Sequence, residues 1–262
     1  MQKTILITGA TDGIGLQTAK QLAAKGHRLL IHGRNDEKLR RAAAEIDGNV
    51  ERYRADFSSL AEVRTLATTI ASTHKTLDVL INNAGVYKTP KPLTDQGLDV
   101  RFVVNMLAPY VLTRQLLPQL PKDGRIINLS SAAQAPVDAE AMAGQRQLDD
   151  MAAYAQSKLA ITIWTQEFAA HHPEGPTAIA VNPGSLLASK MVKEGFGVAG
   201  HDLRIGADIL CETALSDRFA EPSGRYFDND AQRFASAHLA ASDPGHVATV
   251  MKAMENTASM AR

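Results

Sequence analysis

The chain of 262 residues contains one cysteine, Cys211, which excludes an internal disulfide and any cysteine-built metal cluster. That scarcity fits a reducing cytosol. Neither charge sign is in excess, since 28 Lys+Arg balance 28 Asp+Glu. A nucleic-acid binder's basic stripe and a disordered acidic tail are both missing. No apolar run approaches the length of a membrane span, and MQKTILITGA enters a strand pattern too early to hold the apolar core of a signal peptide. The eight histidines show no metal-ligand spacing; His171 and His172 sit at a helix end before Pro173, where the helix dipole explains them. Repeats and low-complexity linkers are absent too. These absences predict a soluble, cytoplasmic, single-domain protein (residues 1–262) with no metal and no nucleic-acid or membrane partner.

What is present is alternation. Short aliphatic runs, TILITG (4–9), RLLIHG (28–33), VERYRADF (50–57), LDVLINNAG (77–85), GRIINLSS (124–131), TAIAVNPG (177–184) and GRYFDN (224–229), are separated by longer stretches of helical period. Gly26 stops the first helix, Asn35 caps the second ahead of Asp36 and Glu37, and Ser59 with Glu62 forms a capping box for the third. Alternating strands and helices predict an α/β chain: a single doubly wound parallel sheet flanked by helices on both faces. The unbroken apolar character of ILI, LLI, VLI and AIAV suits strands buried on both sides. In such sheets a ligand lies beyond the carboxyl ends of the strands.

The chemistry-bearing residues fall at those ends. Strand one runs into TGATDGIG, a TGxxxGxG pattern set between strand and helix. Gly9, Gly13 and Gly15 allow a tight turn, and with Ile14 they would bring backbone N–H groups at the helix start against a pyrophosphate. Strand two ends in His32-Gly33-Arg34-Asn35, without the acid that would bond the adenosine ribose of NAD. Arg34 could instead fork onto the extra phosphate of NADP, although Asp12 in the glycine turn would repel that phosphate. NADP is therefore expected ahead of NAD. Farther along, YAQSK places Tyr154 and Lys158 four apart on a helix, hence on one face. A phenol titrates at about 10, and a neighbouring ammonium would lower that value.

Taken together, TGxxxGxG, NNAG, Asn105 in a helix, Ser130-Ser131, YxxxK and an NPG segment occur in the order that resembles the short-chain dehydrogenase/reductase family, over nearly the whole chain. The resemblance implies a Rossmann fold and an oxidoreductase that interconverts an alcohol and a carbonyl on an apolar small molecule. It implies Tyr154 as general acid/base, Lys158 as the ammonium that also holds the nicotinamide ribose, and Ser131 as hydrogen-bond donor to the reacting oxygen. Ser131 is chosen over Ser130 because alternate strand residues face opposite ways. Asn105 would anchor a water in a proton relay to Lys158. Asp56 would contact adenine, with a helix-entry cap before Ser58 as the alternative. Asn82 and Ala84 would line the adenosine side, and Pro183-Gly184 the nicotinamide. Thr8 and Asn82 could equally serve to tie strand ends together.

Ser131 and Tyr154 stand farther apart than in the family's simplest members. This marks residues 132–152 as an insertion beside the site and suits the retinol-dehydrogenase-like branch, as do SKLA and SGRYF. Residues 185–200, with Leu186, Leu187, Met191, Val192 and Phe196 among glycines, read as a substrate lid. Trp164 and Phe168 read as packing. The helices of Asn105 and Tyr154 commonly pair across a two-fold in the family, so a homodimer or homotetramer is expected. A dinucleotide-binding sensor or scaffold without chemistry is the alternative function.

Overall fold

The apolar runs become the centre of one sheet. In the computed structural model, which describes residues 1–188 and 199–260, β1 (Thr4–Ile7) leads through α1 (Gly13–Ala24), β2 (Arg28–Gly33), α2 (Asp36–Ala44), β3 (Val50–Arg54) and α3 (Leu60–Thr73) to β4 (Val79–Asn82). A helix that changes pitch follows: α4 (Val100–Phe102), a π-helical turn over Val103–Leu107, then α5 (Ala108–Leu116). After β5 (Arg125–Leu129) come a short α6 (Ala139–Met142), α7 (Asp150–His171), β6 (Thr177–Asn182), α8 (Leu203–Leu215), β7 (Tyr226–Asp228), β8 (Arg233–Ala235) and α9 (Pro244–Met260).

The strand order is β3-β2-β1-β4-β5-β6-β7-β8, and every neighbouring pair is parallel except β7 with β8. Chain direction across the sheet reverses between β1 and β4, which opens a crevice at their carboxyl ends. Side-chain alternation sorts the strands into two cores. Leu6, Leu30, Leu80 and Ile126 pack beneath α3, α5, α7 and α9; Ile5, Ile7, Ile31, Ile81 and Ile127 pack beneath α1, α2 and α8. A strand with apolar side chains on both faces has to be a central one, as the unbroken runs predict.

Asn35 and Ser59 cap their helices, but the capping box expected at Ser59 and Glu62 is not completed, because the Ser59 N–H goes to the Asp56 carbonyl (2.9 Å). Asn35 accepts from the Lys38 N–H at 2.9 Å, and Ser59 from the Glu62 N–H at 3.3 Å. The Glu62 carboxylate turns to the Asp56 N–H (2.9 Å). The strand expected over 50–57 ends at Arg54. Neither β8 nor α9 was expected from the sequence. Val250, Met254 and Ala258 of α9 are buried in the same core as Tyr110, Trp164 and Phe168. Arg64 donates to the Ala258 carbonyl (2.6 Å), and Arg114 lies 3.8 Å from Glu255. Part of the face expected to pair across a two-fold is therefore covered by the chain's own last helix. Of the expected lid, residues 189–198, including Met191, Val192 and Phe196, lie outside the described residues. Among those described, no helix is long and apolar enough to cross a membrane.

Candidate active site

A cleft of about 950 Å³ runs along the carboxyl edge of the sheet. At one end lies the glycine turn. Gly9 and Gly13 have φ of +66° and +56°, the left-handed region that favours glycine. A Cβ on Gly9 would lie 2.8 Å from the Cα of Ala84, and one on Gly15 would lie 2.4 Å from the Gly9 carbonyl oxygen. Any side chain there would push β1, β4 and the start of α1 apart. Asp12, at the N-cap of α1, makes no side-chain hydrogen bond to the helix, so its carboxylate does not occupy the first-turn N–H groups beside the cleft.

Thr8 ties the crevice shut from below. Its hydroxyl accepts from the N–H groups of Asn83 and Ala84, both at 3.0 Å. Asn83 returns its amide to the carbonyls of Thr8 (2.8 Å) and Gly9 (3.0 Å). Here the expectation for Asn82 is corrected. Asn82 is 2% exposed and faces the α5 layer, donating to Thr113 (3.2 Å) and Asn128 (2.8 Å); it is Asn83 that lines the cleft with Ala84. Opposite facing of successive residues in a strand explains the swap. The strand-tying role foreseen for Asn82 is the one its contacts match.

Arg34 is exposed and lines the cleft, and Lys38 lines it beside Arg34. The Lys38 ammonium is 3.9 Å from the Asp12 carboxylate, offsetting the charge that would oppose a bound phosphate. Asp56 also lines the cleft, while its carboxylate accepts from the Ser58 N–H and hydroxyl at 2.9 and 2.8 Å. Both readings of Asp56 thus have a contact behind them. Lys38 and His32 escaped the sequence reading. The buried His32 ring stacks on Phe57 with centroids 4.0 Å apart. Its Nδ1 accepts from the Gly9 N–H (3.3 Å), so Nε2 carries the proton and donates to the Ala55 carbonyl (3.0 Å). Burial draws its pKa down to about 4. A neutral imidazole therefore braces the glycine turn against β3.

At the other end α7 presents Tyr154 and Lys158 one turn apart, with the ammonium 5.6 Å from the phenol ring centroid. Lys158 donates to the Leu129 carbonyl at 2.7 Å, and burial pulls its pKa down to about 8. Burial pushes the Tyr154 phenol up; a hydrogen bond with Ser131 acts downward and the neighbouring Tyr87 upward. The expectation that Lys158 would hold the phenol below its ordinary value is thus corrected. Removing a phenolate from water costs more than its neighbours return, and the ammonium is engaged by a carbonyl.

The two serines have different partners: Ser131 acts on the Tyr154 phenol and accepts from the Ala133 N–H (3.1 Å), whereas Ser130 bonds the Lys158 carbonyl (3.2 Å) and the Thr162 hydroxyl (2.7 Å). The Ser131 carbonyl is held by Gln134 (2.9 Å) and the Tyr226 hydroxyl (3.2 Å). Asn105 sits in the π turn, off the cleft wall. Its Oδ1 accepts from the Val86 N–H (2.8 Å), and its Nδ2 donates to the Val86 carbonyl and the Ser157 hydroxyl, both at 3.0 Å. A Cβ on Gly85 would come 3.4 Å from Asn105 Oδ1 and 3.8 Å from Lys158 Nζ, so the missing side chain leaves a gap joining them.

Pro183 and Gly184 line the cleft over β6. Asp230 secures that turn by accepting from the Ser185 N–H (2.9 Å) and hydroxyl (2.5 Å) and from Asn182 (2.9 Å). Arg101 was not anticipated either. It is 1% exposed, pairs with Asp99 (2.6 Å) and Asp150, and lies 3.4 Å from the Tyr87 carbonyl. The Tyr87 ring meets Tyr154 edge-on at 5.3 Å. Glycines without room for a Cβ, cations at one end and a Tyr–Lys–Ser group at the other fit an extended dinucleotide with its reactive end over Tyr154.

The family model described as short chain dehydrogenase matches residues 3–196. Retinol dehydrogenase 13 of Homo sapiens is 34% identical over 256 residues, covering 88% of this chain and 77% of that protein. A putative uncharacterized protein from Mycobacterium paratuberculosis superposes with a TM-score of 0.81 at 29% identity, covering 98% of this chain and 94% of the other. A metagenomic short-chain oxidoreductase in complex with NADP gives 0.64 at 30% identity, covering 81% and 90%.

Proposed function

This chain belongs to the short-chain dehydrogenase family, and on that premise we propose that it is an NADP-dependent reductase of apolar aldehydes or ketones, able to run in the alcohol-oxidising direction. The observation that carries the reading is the meeting of Tyr154, Ser131 and Lys158 at the end of a cleft whose other end is the glycine turn. The dinucleotide supplies the hydride. The α1 N-terminus, Arg34, Lys38, Asp56, Ala84, Lys158, Pro183 and Gly184 would hold it.

The chain's own residues handle the proton. Ser131 donates a hydrogen bond to the substrate oxygen and stabilises the charge that develops there. Tyr154, kept protonated by burial, gives its proton to that oxygen as the carbonyl is reduced. Lys158, with a pKa of about 8, can return a proton towards the phenol, and the gap at Gly85 connects it with Asn105. Arg34 and Lys38 support NADP over NAD. Met151, Leu186 and Leu187 support an apolar substrate. Among the described residues no feature of the cleft favours a sensor without chemistry, because the tyrosine and the lysine are both in place.

The test follows NADPH absorbance across a panel of aldehydes and ketones. Wild type should turn over at least one of them, and Tyr154→Phe should lose about 100-fold or more in kcat while still binding NADPH. A panel with no turnover, or a Phe variant as active as wild type, would defeat the reading.

A further inference from the structure

The charges of the cleft are unevenly placed. Its two described carboxylates, Asp12 and Asp56, belong to the dinucleotide's phosphate and adenine end, where Lys38 faces the first and Ser58 bonds the second. At the chemical end the described lining holds two cations, Lys158 and Lys88, and no carboxylate. Lys158 is engaged in the proton transfer. Lys88 is not.

Lys88 is exposed, and its ammonium lies 6.0 Å from the centroid of the Tyr87 ring, the ring that packs against Tyr154. Among the described residues no acid pairs with it. The rest of this end is greasy and open: Met151 and Leu186 are 39% and 43% exposed on the cleft wall, beside buried Leu187 and Tyr87. Exposed side chains of that kind gain by being covered, because their apolar surface leaves water. A ligand completing both features needs an apolar body and a negative end.

We propose that the substrate is an anionic amphiphile, an apolar carbonyl or alcohol carrying a carboxylate or similar anion that Lys88 pairs with at the cleft mouth. This rests on the oxidoreductase reading for what happens to the carbonyl. The charge requirement rests on Lys88 alone. Lys88 is a specificity residue, one that selects among substrates without entering the proton transfer.

The test is a binding measurement, so it stands apart from turnover. Dodecanoate and dodecanamide, equal in length and differing in charge, are titrated calorimetrically into the full chain with and without saturating NADP. Wild type should bind dodecanoate about five-fold more tightly, the size of one exposed ion pair, and the difference should shrink as salt is raised. Lys88→Ala should erase the difference between the probes, and Lys88→Glu should invert it. Equal affinities in wild type, a preference that survives in Lys88→Ala, or no binding of either probe would overturn the proposal. Absence of NADPH turnover with every carbonyl tested would instead strike the oxidoreductase reading and leave these affinities to be judged on their own.

Discussion

Lys158 shows what a working site costs a fold. Its pKa falls from 10.5 to about 8 because burial penalises the ammonium. Between those two values the unfolded chain binds a proton that the folded chain has released, so stability rises with pH through that window. Below about pH 8 the penalty is present in full, roughly 3 kcal/mol for a displacement of this size. Replacing the ammonium by an apolar chain of similar shape should recover part of it, less about 1–3 kcal/mol for the buried Leu129 carbonyl left without this partner. Lys158→Met is therefore expected to be inactive yet as stable as wild type, or up to about 2 kcal/mol more stable, in urea at pH 7. The gain should dwindle as the pH approaches 10.5. A variant less stable than wild type at pH 7 would show that the ammonium is better solvated than its burial implies. At this scale the sequence was legible where spacing carried meaning, as in Tyr154 with Lys158. It was mute for His32, because a histidine in an apolar strand gives no sign of which backbone groups its two nitrogens will meet.

The helix that carries Asn105 is where element and site meet. A π turn pairs residues five apart and adds a bulge to one side of a helix, a device frequent at functional sites. Here it brings an amide onto both polar groups of Val86 and onto Ser157. Sequence alone signalled the oddity of an asparagine amid LDVRFVVNMLAPYVLT. Periodicity cannot register one extra residue in a turn, so the bulge itself was invisible. The amide does the work of a loop clamp. Asn105→Ala leaves the half-buried N–H and carbonyl of Val86 without this partner, while the Ser157 hydroxyl keeps its bond to the Tyr154 carbonyl (2.7 Å). The variant is expected to lose about 1–3 kcal/mol in chemical denaturation and to reduce kcat more than it raises the KM for NADPH. Asn105→Ser, with a hydroxyl that can meet one of the two Val86 groups, should regain part of the stability. Equal stability of Asn105→Ala and wild type would mean that the Val86 loop is held by other contacts.

On the scale of the whole molecule, the last helix decides which surfaces are left for association. Val250, Met254 and Ala258 repeat every four residues, a helical stripe already present in PGHVATVMKAMENTASM. Threonines and a glycine dilute that signal, and nothing local says which face it will cover; only the folded chain shows α9 lying on the core that holds Tyr110, Trp164 and Phe168. Pairing of two copies through α5 and α7 would have to displace it, break the Arg64 bond to the Ala258 carbonyl, and uncover the three apolar side chains of α9 at about 1.5–3 kcal/mol for each large one. The full chain is therefore expected not to associate through this face. Ending the chain at Asp243 should expose the Trp164 side, lower stability by several kcal/mol, and give concentration-dependent association in sedimentation velocity. Cross-links between the α5 and α7 helices of two full-length copies, with α9 still in place, would contradict this arrangement. A truncated chain that stays monomeric and as stable as the whole would do so as well.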